Sequence, residues 1–170
     1  SLLQVTYSGI PLEGESRLGK ELSYANLMKI EEGDLVISRI AACYGSVALI
    51  TKNLTHLLVS SEFIILRIRD KRYDPWFLWG FLRSSEVRAR LLSEATGLNR
   101  HRIQWEDIKT IPVPLIADLQ KLVSNKYQEF FEARKRAEEN KEAADALLNT
   151  RLHTDNEWAV RRLKVAKPPR

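Results

Sequence analysis

The sequence is poor in the residues that build chemistry. It holds one cysteine, Cys43, and three histidines scattered over 170 residues, so neither a disulfide framework nor a zinc-type ligand cluster can be assembled from it. A lone thiol fits a reducing, cytoplasmic setting. Cys43 stands in the small-residue run "AACYGS" beside a predicted strand, where an inert buried thiol is a better reading than a nucleophile paired with His56 or His101. No apolar run approaches the roughly 18 residues of a membrane span, and nothing reads as a secretory leader. The chain opens on Ser1 rather than Met, and that boundary reads as artificial. The phosphate-cradling glycine motifs, the G-x-S-x-G elbow and the H-E-x-x-H zinc signature are all missing. Two pairs of consecutive carboxylates, Glu31–Glu32 and Glu138–Glu139, point apart on most local geometries and read as solvated surface. The sequence thus offers no catalytic engine and implies no cofactor.

What is present is enough apolar mass, 44% of residues, to close one core and a small appendage. Charged residues make up 29% and the formal charge is +5, a moderate attraction for polyanions. The excess is localised. Residues 1–70, 71–110, 111–150 and 151–170 carry −1, +3, −1 and +4, so the cations gather around "GLNRHRIQWEDIKTIPVP" and in the tail.

Periodicity divides the chain. Residues 1–33 mix turn signals with short apolar runs, read as a strand or two. "DLVISRI", "SVALIT" and "EFIILRIR" are β-rich runs separated by short polar breaks, which predicts a compact sheet. From Asp74 the period becomes helical, with Asp74 as N-cap and Pro75 at the first helical position; Ser84 and Ser85 restart a second helix and Gly97 suits its end. "IQWEDIKTI" predicts a short helical turn, and "TIPVPL" an edge strand after it. From about Asp118 to about Asn149 the pattern is helical throughout, close to 50 Å at 1.5 Å per residue. Leu119, Val123, Tyr127, Phe130, Ala137, Ala144 and Leu148 lie near heptad spacing, and the helix is too long for a small domain to cover, so a partner helix is expected. The α+β fold expected is a compact mixed β-sheet domain with packed helices over 1–116. One long helix (117–150) follows and pairs with a partner helix through Val123, Tyr127, Phe130, Ala137, Ala144 and Leu148. A basic extension spans 151–170.

Two polar runs are candidates for nucleic-acid contact: Arg39, Tyr44 and Ser46 around "SRIAACYGS", and Asn99, Arg100, His101 and Arg102. Arginine and asparagine read base edges bidentately, while Ser, Tyr and backbone N–H groups hold phosphates. Arg17 and Lys20 are further candidate phosphate anchors.

The order of these segments resembles the target recognition domain of type I restriction-modification specificity subunits. The resemblance rests on "GDLVISRI" with Gly45 before "VALI", on "SSEFIILRIR", "DPWFLWGFLRS" and "ATGLNRHRI", and above all on "IKTIPVPLIADLQKLV" opening a charged helix. Ile111, Pro112, Pro114 and Gln120 sit where that family steps from its DNA-reading domain into a spacer helix. A full specificity subunit has two such domains and two spacers; one of each is found here. The resemblance implies a non-catalytic module that reads one half of a split site on double-stranded DNA and docks a methyltransferase subunit and, through it, a restriction subunit. The chain then reads as a half-length subunit or an excised half, and as a half-subunit it would form a homodimer through the long helix. Two other readings stand beside it: the recognition domain of a fused restriction-methylation enzyme, and a coiled-coil interaction protein that binds no DNA.

Overall fold

The structure, a computed structural model, describes residues 1–14, 26–94 and 102–154. Among these residues seven short strands come first: β1 (Leu3–Val5), β2 (Pro11–Glu13), β3 (Leu27–Lys29), β4 (Leu35–Ser38), β5 (Val47–Leu49), β6 (Leu58–Ser60) and β7 (Phe63–Leu66). Helices α1 (Pro75–Leu82), α2 (Ser85–Glu94), α3 (Trp105–Lys109) and α4 (Ala117–Thr154) follow. The strands pair as β1–β2, β3–β6 and β5–β4–β7, all antiparallel. This is the α+β arrangement that the periodicity predicts.

Strand β4 is the centre of the largest sheet, and all four of its residues are buried, as a strand covered on both faces requires. Gly33 starts it in the left-handed region, φ 87°, where a side chain would be strained. Asp34 beside it is 1% exposed, and its carboxylate is fully engaged: it accepts from the Glu31 amide at 2.8 Å and from Arg67 Nε and Nη2 at 2.9 Å each. That pair holds the Arg67 guanidinium above its ordinary pKa, chiefly through the hydrogen bonds to Asp34. One apolar cluster, Leu3, Ile30, Val36, Ile50, Leu57 and Val59, draws on strands of all three small sheets and the residues beside them.

Helix α1 begins as its sequence dictates. The Asp74 side chain accepts from the Trp76 and Phe77 amides at 2.8 and 3.2 Å, with Pro75 at the first helical position. The same carboxylate accepts from the Ser124 hydroxyl of α4. Gln120 completes the joint: its Oε1 accepts from the Asp74 amide at 2.9 Å and its Nε2 donates to the Arg72 carbonyl at 3.2 Å. Both Gln120 and Ser124 are buried. One turn on, the Tyr127 ring meets Trp79 edge-on at 4.8 Å and fills the space a Cβ on Gly80 would need. Compact packing therefore takes in the opening turns of α4: one unit runs Ser1–Gln128 and a second begins at Glu129.

Two sequence expectations change here. Residues 110–116 form no strand; Pro112 and Pro114 lack the N–H donors a ladder needs, and the segment is held instead by buried Ile111 and by Tyr73 Oη donating to the Val113 carbonyl at 3.4 Å. Tyr127, expected on a partner-facing seam, packs on α1 of its own chain. The predicted helix end at Gly97 lies outside the described residues.

Gly80→Ala raises intrinsic helix propensity yet displaces the Tyr127 ring, so a net loss of about 1–3 kcal/mol is expected in urea unfolding. Gln120→Ala strands the Asp74 amide and should cost a similar roughly 1–3 kcal/mol.

Candidate nucleic-acid interface

Strand register gathers the loops. In β4, Ile37 opposes Val47 of β5 and Ser38 opposes Phe63 of β7, so the end of β4 and the beginnings of β5 and β7 share one edge. Loop 39–46 and the turn at Ser61–Glu62 emerge together there. The β1–β2 turn joins them: the Ser46 hydroxyl donates to the Val5 carbonyl at 3.0 Å, and the Gly45 backbone comes so close to Tyr7 that a Cβ would sit 2.6 Å from its carbonyl oxygen. The segment after residue 101 arrives at the same edge, where the Ile103 amide donates to the Arg39 carbonyl at 2.7 Å.

Arg39 ties these pieces. Its amide donates to Glu62 O at 2.9 Å, its Nε to Ser61 O at 3.0 Å, and its Nη1 to Ile103 O at 3.3 Å and Gln104 Oε1 at 2.8 Å. Gln104 in turn caps α3 reciprocally with Asp107, so the 102–104 segment is pinned at both ends. Two helix arginines do related work on the neighbouring turn. Arg83 Nε donates to Gly45 O at 3.0 Å while lying 4.3 Å over the Trp79 ring, and Arg88 Nε donates to Cys43 O at 3.0 Å. Burial pulls the Arg83 pKa below its ordinary value, yet an arginine stays charged.

The predicted site residues divide accordingly. Tyr44 is 52% exposed on the shared edge. Arg102 is exposed and bonds Glu62 Oε1 through Nη2 at 2.6 Å, a pair open to solvent on both sides. Ser46 is not a phosphate anchor: it is 2% exposed, and its hydroxyl is spent on Val5. Arg39 is a structural tether whose Nε and Nη1 already have acceptors. Arg17, Lys20, Asn99, Arg100 and His101 lie outside the described residues. Sequence reasoning missed Tyr7, Glu62, Arg83 and Arg88, whose places depend on pairings about 40 positions apart that no local pattern reveals. Cys43 is buried, as read from its small neighbours. Among the described residues no three His, Cys, Asp or Glu gather as metal ligands, and no helix is long and apolar enough to cross a membrane.

Along α4, Leu119, Leu122, Phe130, Leu147 and Leu148 are exposed, as are Ala137 and Ala144, while Val123 is half-buried.

No family model matches the sequence, and no curated protein matches it either. Solved structures do. The HsdS subunit from Thermoanaerobacter tengcongensis is 21% identical, with a TM-score of 0.57 over 89% of this chain and 40% of that one. A chain from a structure described as explaining complex assembly and conformational transition of the type I R-M system is 19% identical, with a TM-score of 0.56 over 94% of this chain and 45% of the other. The shared feature is the fold, and the family resemblance read from the IPVP segment and the long helix agrees with it. This chain spans less than half the length of either structure.

Arg39→Ala leaves the carbonyls of Ser61 and Ile103 without their donor. It is expected to cost roughly 1–3 kcal/mol and to speed hydrogen exchange at the Ile103 amide well beyond the change at core amides such as Val36.

Proposed function

We propose that this chain is a sequence-reading module of a type I restriction-modification system, which recognises one half of a split DNA site and carries no catalysis of its own. The observation that supports this best is the single sheet edge where Tyr44, Arg102 and the strand-connecting turns converge, in a fold shared with an HsdS subunit. Residues 1–116 are the recognition domain. Arg102, with Asn99, Arg100 and His101 of the sequence before it, supplies base and phosphate contacts, and Arg17 and Lys20 add charge. The helix over 117–150 is the spacer that sets the distance to a second half-site and docks a methyltransferase subunit, with the restriction subunit recruited through it. Adenine methylation and cleavage belong to those partners, in the cytoplasm.

The surface of the helix supports dimerisation through it. Phe130, Ala133, Ala137, Asn140, Ala144 and Leu147 succeed one another at alternating intervals of three and four residues, and all are exposed. Such a row suits close packing against a second helix, with Asn140 as a polar register mark. Two copies related by a two-fold axis would address two half-sites.

Arg102→Ala should weaken binding to labelled duplex DNA and flatten the dependence of log K on log salt by about one, read by fluorescence anisotropy. Glu62→Gln removes the competing carboxylate, so several-fold tighter binding at equal salt is the expected opposite result. Unchanged affinity in both would remove Arg102 from the interface. Sedimentation at micromolar concentration should find a dimer that Leu147→Asp converts to monomer.

A further inference from the structure

Tyr7 and Tyr44 are the least explained side chains of the sheet edge. They are 68% and 52% exposed, come from turns 37 positions apart, and meet with ring centroids 5.9 Å apart at 59°. Their backbones are unusually well fixed. The Tyr7 turn is closed by Gly9 N donating to Thr6 O at 2.9 Å, Thr6 N to Ile10 O at 3.0 Å, and Ile10 N to Thr6 Oγ1 at 3.0 Å. The Tyr44 turn is closed by Tyr44 N donating to Ala41 O at 3.0 Å and by the two helix arginines on Cys43 O and Gly45 O. Gly9 and Gly45, at φ 74° and 100°, let the turns touch backbone to backbone: a Cβ on Gly9 would lie 2.7 Å from Val47 O, and one on Gly45 2.6 Å from Tyr7 O. Neither position takes a side chain without strain.

We infer that Tyr7 and Tyr44 form a preset aromatic wedge that packs against nucleobases at a step of the bound duplex; this rests on the DNA-reading function proposed above. Arg83 donates to the Gly45 carbonyl beside Tyr44, Arg39 opens the same 39–46 loop, and the segment carrying exposed Arg102 reaches that loop through the Ile103 amide on the Arg39 carbonyl. A polyanion with aromatic bases satisfies both parts of that surface, the rings and the cations. The tilt excludes a base sandwiched between the rings, which needs parallel faces, so contact falls on the outward faces. A fixed apolar wedge pays little ordering entropy on binding, and its cost lies in unstacking the step it enters. Easily unstacked pyrimidine–purine steps would therefore be preferred at a position where no hydrogen bond reads the base.

The test uses the whole chain with short duplexes carrying 2-aminopurine at successive positions. Because both side chains are exposed, Tyr7→Ala/Tyr44→Ala should keep the wild-type urea midpoint. It should also bind DNA roughly tenfold more weakly with the salt slope unchanged, since no phosphate contact is lost. Tyr7→Phe/Tyr44→Phe should keep wild-type affinity, and a rise in 2-aminopurine emission should occur at one position with wild type and Phe variant but not with the Ala variant. A wild-type chain that binds duplex with the expected salt slope, and an Ala variant that binds equally, overturns the wedge alone. A wild type that retains no duplex overturns the DNA-reading function and the wedge with it. A reduced salt slope in the Ala variant, or loss of binding in the Phe variant, overturns stacking in favour of a polar role for the hydroxyls.

Discussion

The guanidinium of Arg39 is the tie on which the whole loop-bearing edge depends. One side chain at the end of the central strand reaches the carbonyls of Ser61 and Ile103 and the side-chain oxygen of Gln104, while its own backbone pairs with Glu62 and Ile103. Each charge-assisted bond of this kind contributes about 1.5–3 kcal/mol where it is shielded, and less where solvent screens it, as at the half-buried Arg39. Strands of three or four residues have few ladder bonds with which to orient their loops. Arginines do it instead: Arg39 from the sheet, Arg83 and Arg88 from the helices. Part of the positive charge that marks residues 71–110 in the sequence is therefore structural. Arg102, with only a solvent-open carboxylate as partner, is the cation at this edge with most freedom to exchange that partner for a phosphate.

The start of α4 follows a similar economy. Gln120, Ser124 and Tyr127 recur at intervals of four and three, so they occupy one helical face and engage Asp74, Arg72, Trp79 and Gly80. Leu119 and Leu122, off that face, stay exposed. A buried polar cluster is costly to leave half-satisfied, so it fixes the rotation of these turns on α1 more narrowly than an apolar contact would. The same helix carries from Phe130 onward a row with the spacing of a helix-pairing seam.

Much of this was legible in the sequence, for identifiable reasons. Asp74-Pro75 gave away the start of α1 because capping is local chemistry, and α4 was readable because a long run of strong helix formers admits no other structure. Strands β4, β5 and β7 appeared as apolar runs between turns. Strands β3 and β6 did not, since "LMK" and "LVS" are too short to display a period. The strand expected at "TIPVPL" failed because apolar content outweighed the missing proline donors. Ser46 and Tyr127 were misassigned for one shared reason: composition says which side chains can bind something, whereas topology decides what they already bind. Tyr7 went unnoticed because its partner is far away in sequence.

Nitrogen-15 amide spectra of the chain, titrated with a short duplex, would locate the surface that meets DNA and so decide whether it is the β4–β5 edge. Shift changes are expected to concentrate at residues 7–9, 40–46, 61–62 and 102–104, saturating together and diminishing as salt is raised. Changes confined to α4 beyond Glu129, with that edge unmoved, would contradict that reading.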